Sequence, residues 1–197
     1  GGQDQSTLLV GLTIQNGSSL DAGGGILIEN SNPVISRNTI RNNHSGDCGG
    51  KGAGIAILEN SYPHIFSNTI HSNTASGSCD CECYFGGGIY VDESSWPIIG
   101  GSIILGNKLY DNHSDIGYQL YRDHNEIDTT NWVPIYAHYN FFENCPPDFP
   151  TDVYPVNGWD LGNCQDFLSF HNENIEITPL TVLPSYPNPF NSSTNIE

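Results

Sequence analysis

The sequence predicts an all-β fold, a three-strand parallel β-solenoid of about four to five coils, from three observations. The unit Asn-x-(Ile/Leu)-x-x-Asn recurs from Asn38 to Asn43, from Asn68 to Asn73 and from Asn107 to Asn112, with a degraded copy from Asn140 to Asn144. Each copy follows a proline: Pro33, Pro63, Pro97 and Pro134. A glycine-led apolar alternation precedes the first three prolines, in Gly25 to Ile28, Gly54 to Ile57 and Gly88 to Val91. Repetition at this period marks stacked supersecondary units.

Each element has a local reason. Ile26 and Ile28, Ile55 and Ile57, and Ile89 and Val91 alternate, so each pair lies on one face of a strand. The segments after the prolines supply Ile35, Ile65 and Ile99, then Ile40, Ile70 and Leu109. That makes three short strands per repeat, bounded by Gly, Asn and Pro, with no sustained helical stripe. The Asn38–Asn68–Asn107–Asn140 spacings are 30, 39 and 33 residues. The long value fits an insertion between Pro97 and Asn107. Stacking such repeats sets Ile on Ile inside and Asn38, Asn68 and Asn107 in a structural ladder at a bend. An Asn amide carries donors and an acceptor to satisfy from coil to coil.

These residues resemble a known family. The Gly-Gly-Gly-Ile, Asn-Pro and Asn-Thr-Ile-x-x-Asn units are similar to the right-handed parallel β-helix repeat of pectin-lyase-like proteins. Gly11 to Gly17 resembles a first full rung and Pro134 to Asn140 a closing one. The resemblance covers about residues 7–145 and implies a right-handed helix, with the helical domain read as residues 1–145. Such helices carry lyases, hydrolases, adhesins and inert scaffolds, so it implies no single activity. Residues 146–180 lose the period and read as an irregular cap or linker. Residues 181–197 contain Tyr186-Pro-Asn-Pro-Phe190-Asn191. That motif resembles the start of the C-terminal sorting domain of type IX secretion substrates. It implies export to the medium or the outer cell surface.

The formal charge is −17, with only five basic residues. Nucleic acid and anionic membrane need clustered cations, so neither is an expected partner. No apolar run approaches the length of a membrane helix. The chain opens on Gly1 and reads as a mature or excised piece. Six cysteines, Cys48, Cys79, Cys81, Cys83, Cys145 and Cys164, suggest disulfides in an oxidising compartment. Cys145 and Cys164 flank a Pro-rich loop and are expected to pair. The other four leave two readings open, disulfides between neighbouring loops or a thiolate metal site.

Three constellations carry candidate chemistry. Glu29, Glu59 and Glu93 each lie four residues before a repeat proline. Stacked carboxylates would recruit a hard cation, and calcium is the one this chemistry takes; splayed, solvated carboxylates are the structural alternative. Arg41, His71 and Tyr110 share one outward column, with Lys108 in the neighbouring one after Thr39 and Thr69. A polysaccharide lyase needs a base and a cation beside a uronate, which this face offers as a catalytic candidate. Tyr62, Trp96 and Trp132 sit just before repeat prolines, where a flat strip would bind a glycan or a partner protein. Asn43-His-Ser45 and Asn112-His-Ser114 also match the glycosylation acceptor pattern. The leading expectation is a secreted or cell-surface structural or adhesive solenoid, self-associating head to tail or bound to other surface proteins. A carbohydrate-active enzyme and a glycan-binding module are the alternatives.

Overall fold

The computed structural model describes residues 7–47, 49–78, 83–102, 104–123 and 133–166. Cys48, Cys79, Cys81, Trp132 and the segment 181–197 lie outside the described residues. The first winding contains β1 (Leu8–Val10), β2 (Thr13–Gln15), β3 (Ser18–Ser19) and β4 (Ile26–Glu29). The second contains β5 (Val34–Ser36), β6 (Thr39–Arg41), β7 (His44–Ser45) and β8 (Ile55–Leu58). The third contains β9 (His64–Phe66), β10 (Thr69–His71), β11 (Thr74–Ala75) and β12 (Ile89–Val91). The fourth contains β13 (Ile98–Ile99), β14 (Lys108–Tyr110) and β15 (Leu120–Arg122). β16 (Ile135–Tyr136) and β17 (Phe141–Phe142) follow, and the winding continues past Cys145 with β18 (Val153–Tyr154), β19 (Trp159–Asp160) and β20 (Gln165–Asp166).

Every pairing between these strands is parallel, and each joins one winding to the next. The first sheet runs β1-β5-β9-β13 and the second β2-β6-β10-β14-β17-β20. A short third sheet, β3-β7-β11, follows the bend after the second. The fourth sheet runs β4-β8-β12-β15-β18. Each winding thus has three main faces, and the first three carry a two-residue extra strand. The all-β parallel solenoid read from the repeat is the architecture of the protein.

Register explains the interior. Ile14, Ile40, Ile70 and Leu109 stand in one column, and Leu9, Ile35, Ile65 and Ile99 in another. Ile40, Ile70 and Leu109 are fully buried. Each such side chain contributes about 1.5–3 kcal/mol by leaving water. The repeat prolines stand just ahead of the first sheet's strands, where no ladder N–H is needed. The motif glycines have a steric reason. A Cβ on Gly54 would meet the Gly88 carbonyl oxygen at 2.5 Å, and one on Gly25 the Gly54 oxygen at 2.7 Å.

Polar corners are satisfied by stacking. Asn68 donates its Nδ2 to Asn107 Oδ1 (3.0 Å) and Ile35 O (2.9 Å), while its Oδ1 accepts from Asn38 Nδ2 (3.1 Å). Asn107 continues to Asn140. A second ladder runs through Asn43, Asn73 and Asn112 and ends on Gln119 Oε1 (2.7 Å). A third, of backbone N–H to hydroxyl bonds, links Ser31, Ser61 and Ser95.

The fourth-sheet column Ile28–Ile57–Val91 ends on a cation, Arg122. Arg122 is 2% exposed. Its Nη1 donates to Val133 O (2.9 Å) and Gly158 O (3.3 Å), and its guanidinium lies 4.3 Å from the Trp96 ring centre. Burial pulls its pKa down. Cys145 and Cys164 are bonded across the last winding, with Cα atoms 5.8 Å apart. Cys83 is also disulfide-bonded.

Candidate functional site

The second sheet brings Arg41, His71, Lys108 and Tyr110 onto one outward face. Register sets His71 over Arg41 and under Tyr110, and Thr69 between Thr39 and Lys108. The His71 and Tyr110 rings stack with centroids 4.8 Å apart and planes 2° from parallel. Arg41 donates its Nε to Gln15 Oε1 (3.0 Å), which holds the guanidinium along the column.

His71 is oriented by its neighbours at the bend. Ser72 Oγ donates to Asp111 Oδ2 (2.8 Å) and lies 3.0 Å from His71 Nδ1. A hydroxyl has one proton, and Asp111 takes it. The neutral ring therefore carries its proton on Nδ1, donates it to Ser72, and keeps the lone pair on Nε2. Burial, then the nearby Arg41 charge, lowers the His71 pKa, with Asp111 opposing. Nε2 is thus a free base at neutral pH. The trio is not a nucleophilic triad, in which the serine donates to the histidine and the carboxylate holds the ring. Here the carboxylate holds the serine and the serine holds the ring, so Ser72 is not activated. The chemistry within reach is proton abstraction beside a group held by Arg41 or Lys108.

The acidic column does not form as three. Register places Glu29 opposite Leu58, not Glu59, because the turn after β8 is one residue longer than the turn after β4. Counting back from the proline misses this. Glu29, Glu59 and Glu93 are all exposed, and the Glu59 N–H is donated to Asp92 Oδ2 (2.8 Å). Among the described residues no three His, Cys, Asp or Glu side chains converge to hold a metal ion, calcium included.

The aromatic strip is also corrected in part. Tyr62 is exposed, but Trp96 turns inward, packs on the aliphatic core and lies against Arg122. Trp132 lies outside the described residues. The acceptor-pattern asparagines are not available for glycosylation in the folded chain. Asn43 and Asn112 are at most 1% exposed, and their amide nitrogens serve the second ladder.

Sequence reading passes over three groups that hold the bends. The Ser72–Asp111 pair is invisible because a serine and an aspartate at equivalent bend positions share no pattern. The second asparagine ladder had a signal, since its members close each repeat unit. The Ser31, Ser61 and Ser95 ladder had one too, two residues ahead of each proline.

A family model described as right handed beta helix region matches residues 3–145. No curated protein and no solved structure matches the chain.

Proposed function

Because the chain belongs to the right-handed β-helix family, we propose that it is a secreted or cell-surface structural solenoid, a stiff spacer with an adhesive role. The observation that carries this reading is the set of three polar ladders running from winding to winding. They tie backbone and side chains along the axis, as a load-carrying rod requires. The sorting-like motif at Tyr186 to Asn191 and the Cys145–Cys164 bond favour the extracellular side. In this reading copies also meet end to end. The outer edges of β1, β2, β3 and β4 pair with no other described strand, and Leu8, Leu12 and Leu27 are exposed beside them. Such edges recruit strands. Electron microscopy of the purified chain tests it: rods that lengthen with concentration are expected, and short monodisperse particles at high concentration would remove the end-to-end part.

The free Nε2 of His71 favours a second reading, a polysaccharide lyase working on the second-sheet face. Incubation with uronic polymers, with and without calcium, decides between the two. The structural reading expects no unsaturated ends. Cleavage that disappears in His71→Ala would replace it with the enzyme.

A further inference from the structure

The distribution of charge around the solenoid is uneven in a way that the structural reading does not use. Arg37, Arg41 and Lys108, three of the five basic residues, lie on the second sheet or its near bend. Of the other two, Lys51 lies over the Tyr90 ring and Arg122 is in the core. The outward positions of β2, β6, β10 and β14 are Thr13, Gln15, Thr39, Arg41, Thr69, His71, Lys108 and Tyr110, with no carboxylate among them. The acids on this sheet or just past its strands are Asp111, engaged by Ser72 and His113, Glu143 just beyond β17, and Asp166 at the end of β20, which closes the sheet. In a chain of charge −17 this is a cationic facet.

The bend between the fourth and first sheets has the opposite character. It carries Glu29 on the first winding, Glu59 on the second, and Asp92 and Glu93 on the third. The three glutamates are exposed. A winding passes through the first, second, third and fourth sheets in turn, so this acidic ridge lies across the section from the second sheet. Between ridge and facet, the first sheet turns out Leu8, Val34, His64, Phe66 and Ile98, none of them a carboxylate.

We propose that the second-sheet face of one copy receives the acidic ridge of a second copy, side by side with axes parallel. Both partners repeat at the same coil spacing, roughly 4.8 Å. Ridge carboxylates on the first and third windings, Glu29 and Glu93, therefore meet Arg41 and Lys108, also two windings apart, without a mismatch of period. Ridge and facet lie on opposite sides of each molecule, so the contact is heterologous and propagates into a sheet of parallel rods. A peptide strand is a poorer occupant, because the sheet's backbone groups bond along the axis and none points out from the face. Nucleic acid is poorer too, since three cations are few for a phosphate backbone. Each exposed ion pair is weak, so association is modest between free copies and is reinforced where many are tethered together. Salt acts in two directions. At about 0.15 M the Debye length is roughly 8 Å, which screens repulsion between whole molecules and spares pairs in contact; molar salt weakens the pairs as well.

The inference rests on the structural reading, and its failure is separable from that reading's. End-to-end contacts do not involve these charges and would survive their reversal. The test is sedimentation velocity on the whole chain across concentration at moderate salt. Wild type is expected to associate. Arg41→Glu with Lys108→Glu should weaken association about tenfold or more, and so should Glu29→Lys with Glu93→Lys. Mixing the two variants should restore it, because each acidic facet then meets a basic ridge and each basic facet an acidic one. Lys51→Ala, a positive charge lost away from both surfaces, should leave association unchanged. All these positions are at the surface, and a thermal melt checks that each variant is folded; the single pair Lys108→Glu and Glu93→Lys replaces any variant that is not. Wild type without self-association up to millimolar concentration, variants that associate like wild type, or a mixture that fails to recover would each overturn the proposal.

Discussion

At the scale of single residues, His71 couples the second-sheet face to pH. Its folded pKa lies below the ordinary 6.5, from burial first and Arg41 second. Above 6.5 the ring is neutral in folded and unfolded chains alike and costs nothing. As the pH falls below that, the unfolded chain takes the proton more readily, so stability is lost toward and through the folded pKa. His71→Gln should therefore flatten the loss: between about pH 7.5 and pH 5, its urea midpoint should fall less than that of wild type. Equal slopes would mean that the ring titrates as if exposed. Arg122 obeys the same physics in a harsher setting. Its charge is tolerated inside the column because two carbonyls accept from it and the Trp96 ring faces it.

At the scale of elements, the bends rather than the strands are the expensive parts. The residue just before a ladder asparagine takes a left-handed backbone in Arg37 (φ 55), Ser67 (φ 57), Asn42 (φ 53), Ser72 (φ 55) and Asp111 (φ 54). Each costs about 1 kcal/mol or more without glycine. The ladder bonds on the next residue offset that cost. Asn68→Ala removes the acceptor of two Asn38 donors and the donor to Ile35 O and Asn107 Oδ1. Denaturant unfolding should show a loss of about 2–4 kcal/mol. Gly54→Ala tests the neighbouring element: its backbone is ordinary, yet a Cβ runs into the next winding. A destabilisation of about 1–3 kcal/mol is expected from that overpacking, against a gain if only chain entropy mattered. Asn73→Ala, in the second ladder, should resemble Asn68→Ala.

At the scale of the whole molecule, a solenoid is close to one-dimensional, each winding being held by its neighbours. The last windings have the fewest, and the Cys145–Cys164 bond closes a 19-residue separation there. Replacing both by serine should cost about 3 kcal/mol by loop-closure arithmetic. The loss should be local: hydrogen exchange is expected to quicken in β17 to β20 and stay slow in β6 and β10. Uniform acceleration would mean that the rod unfolds as a unit. The same one-dimensional logic makes charge placement consequential, because a residue repeated on every winding becomes a stripe.

Whatever recurs directly above itself is legible in the residues alone. The winding period, the inward isoleucines and the first asparagine column are all periodic, and a parallel stack turns period into contact. What depends on turn length and on neighbours from different columns emerges only on folding. One extra residue in the turn after β8 moved Glu29 out of line with Glu59. Trp96, which precedes a proline just as exposed Tyr62 does, turned inward onto the core, where its ring faces Arg122 at the end of a core column. The Asp111–Ser72–His71 order, which makes His71 a base and leaves Ser72 inert, joins residues 40 apart along the chain only because two windings meet at one bend. Hydrogen-bond direction across a bend leaves no trace in spacing, since it is set by where the proton goes once the atoms are adjacent.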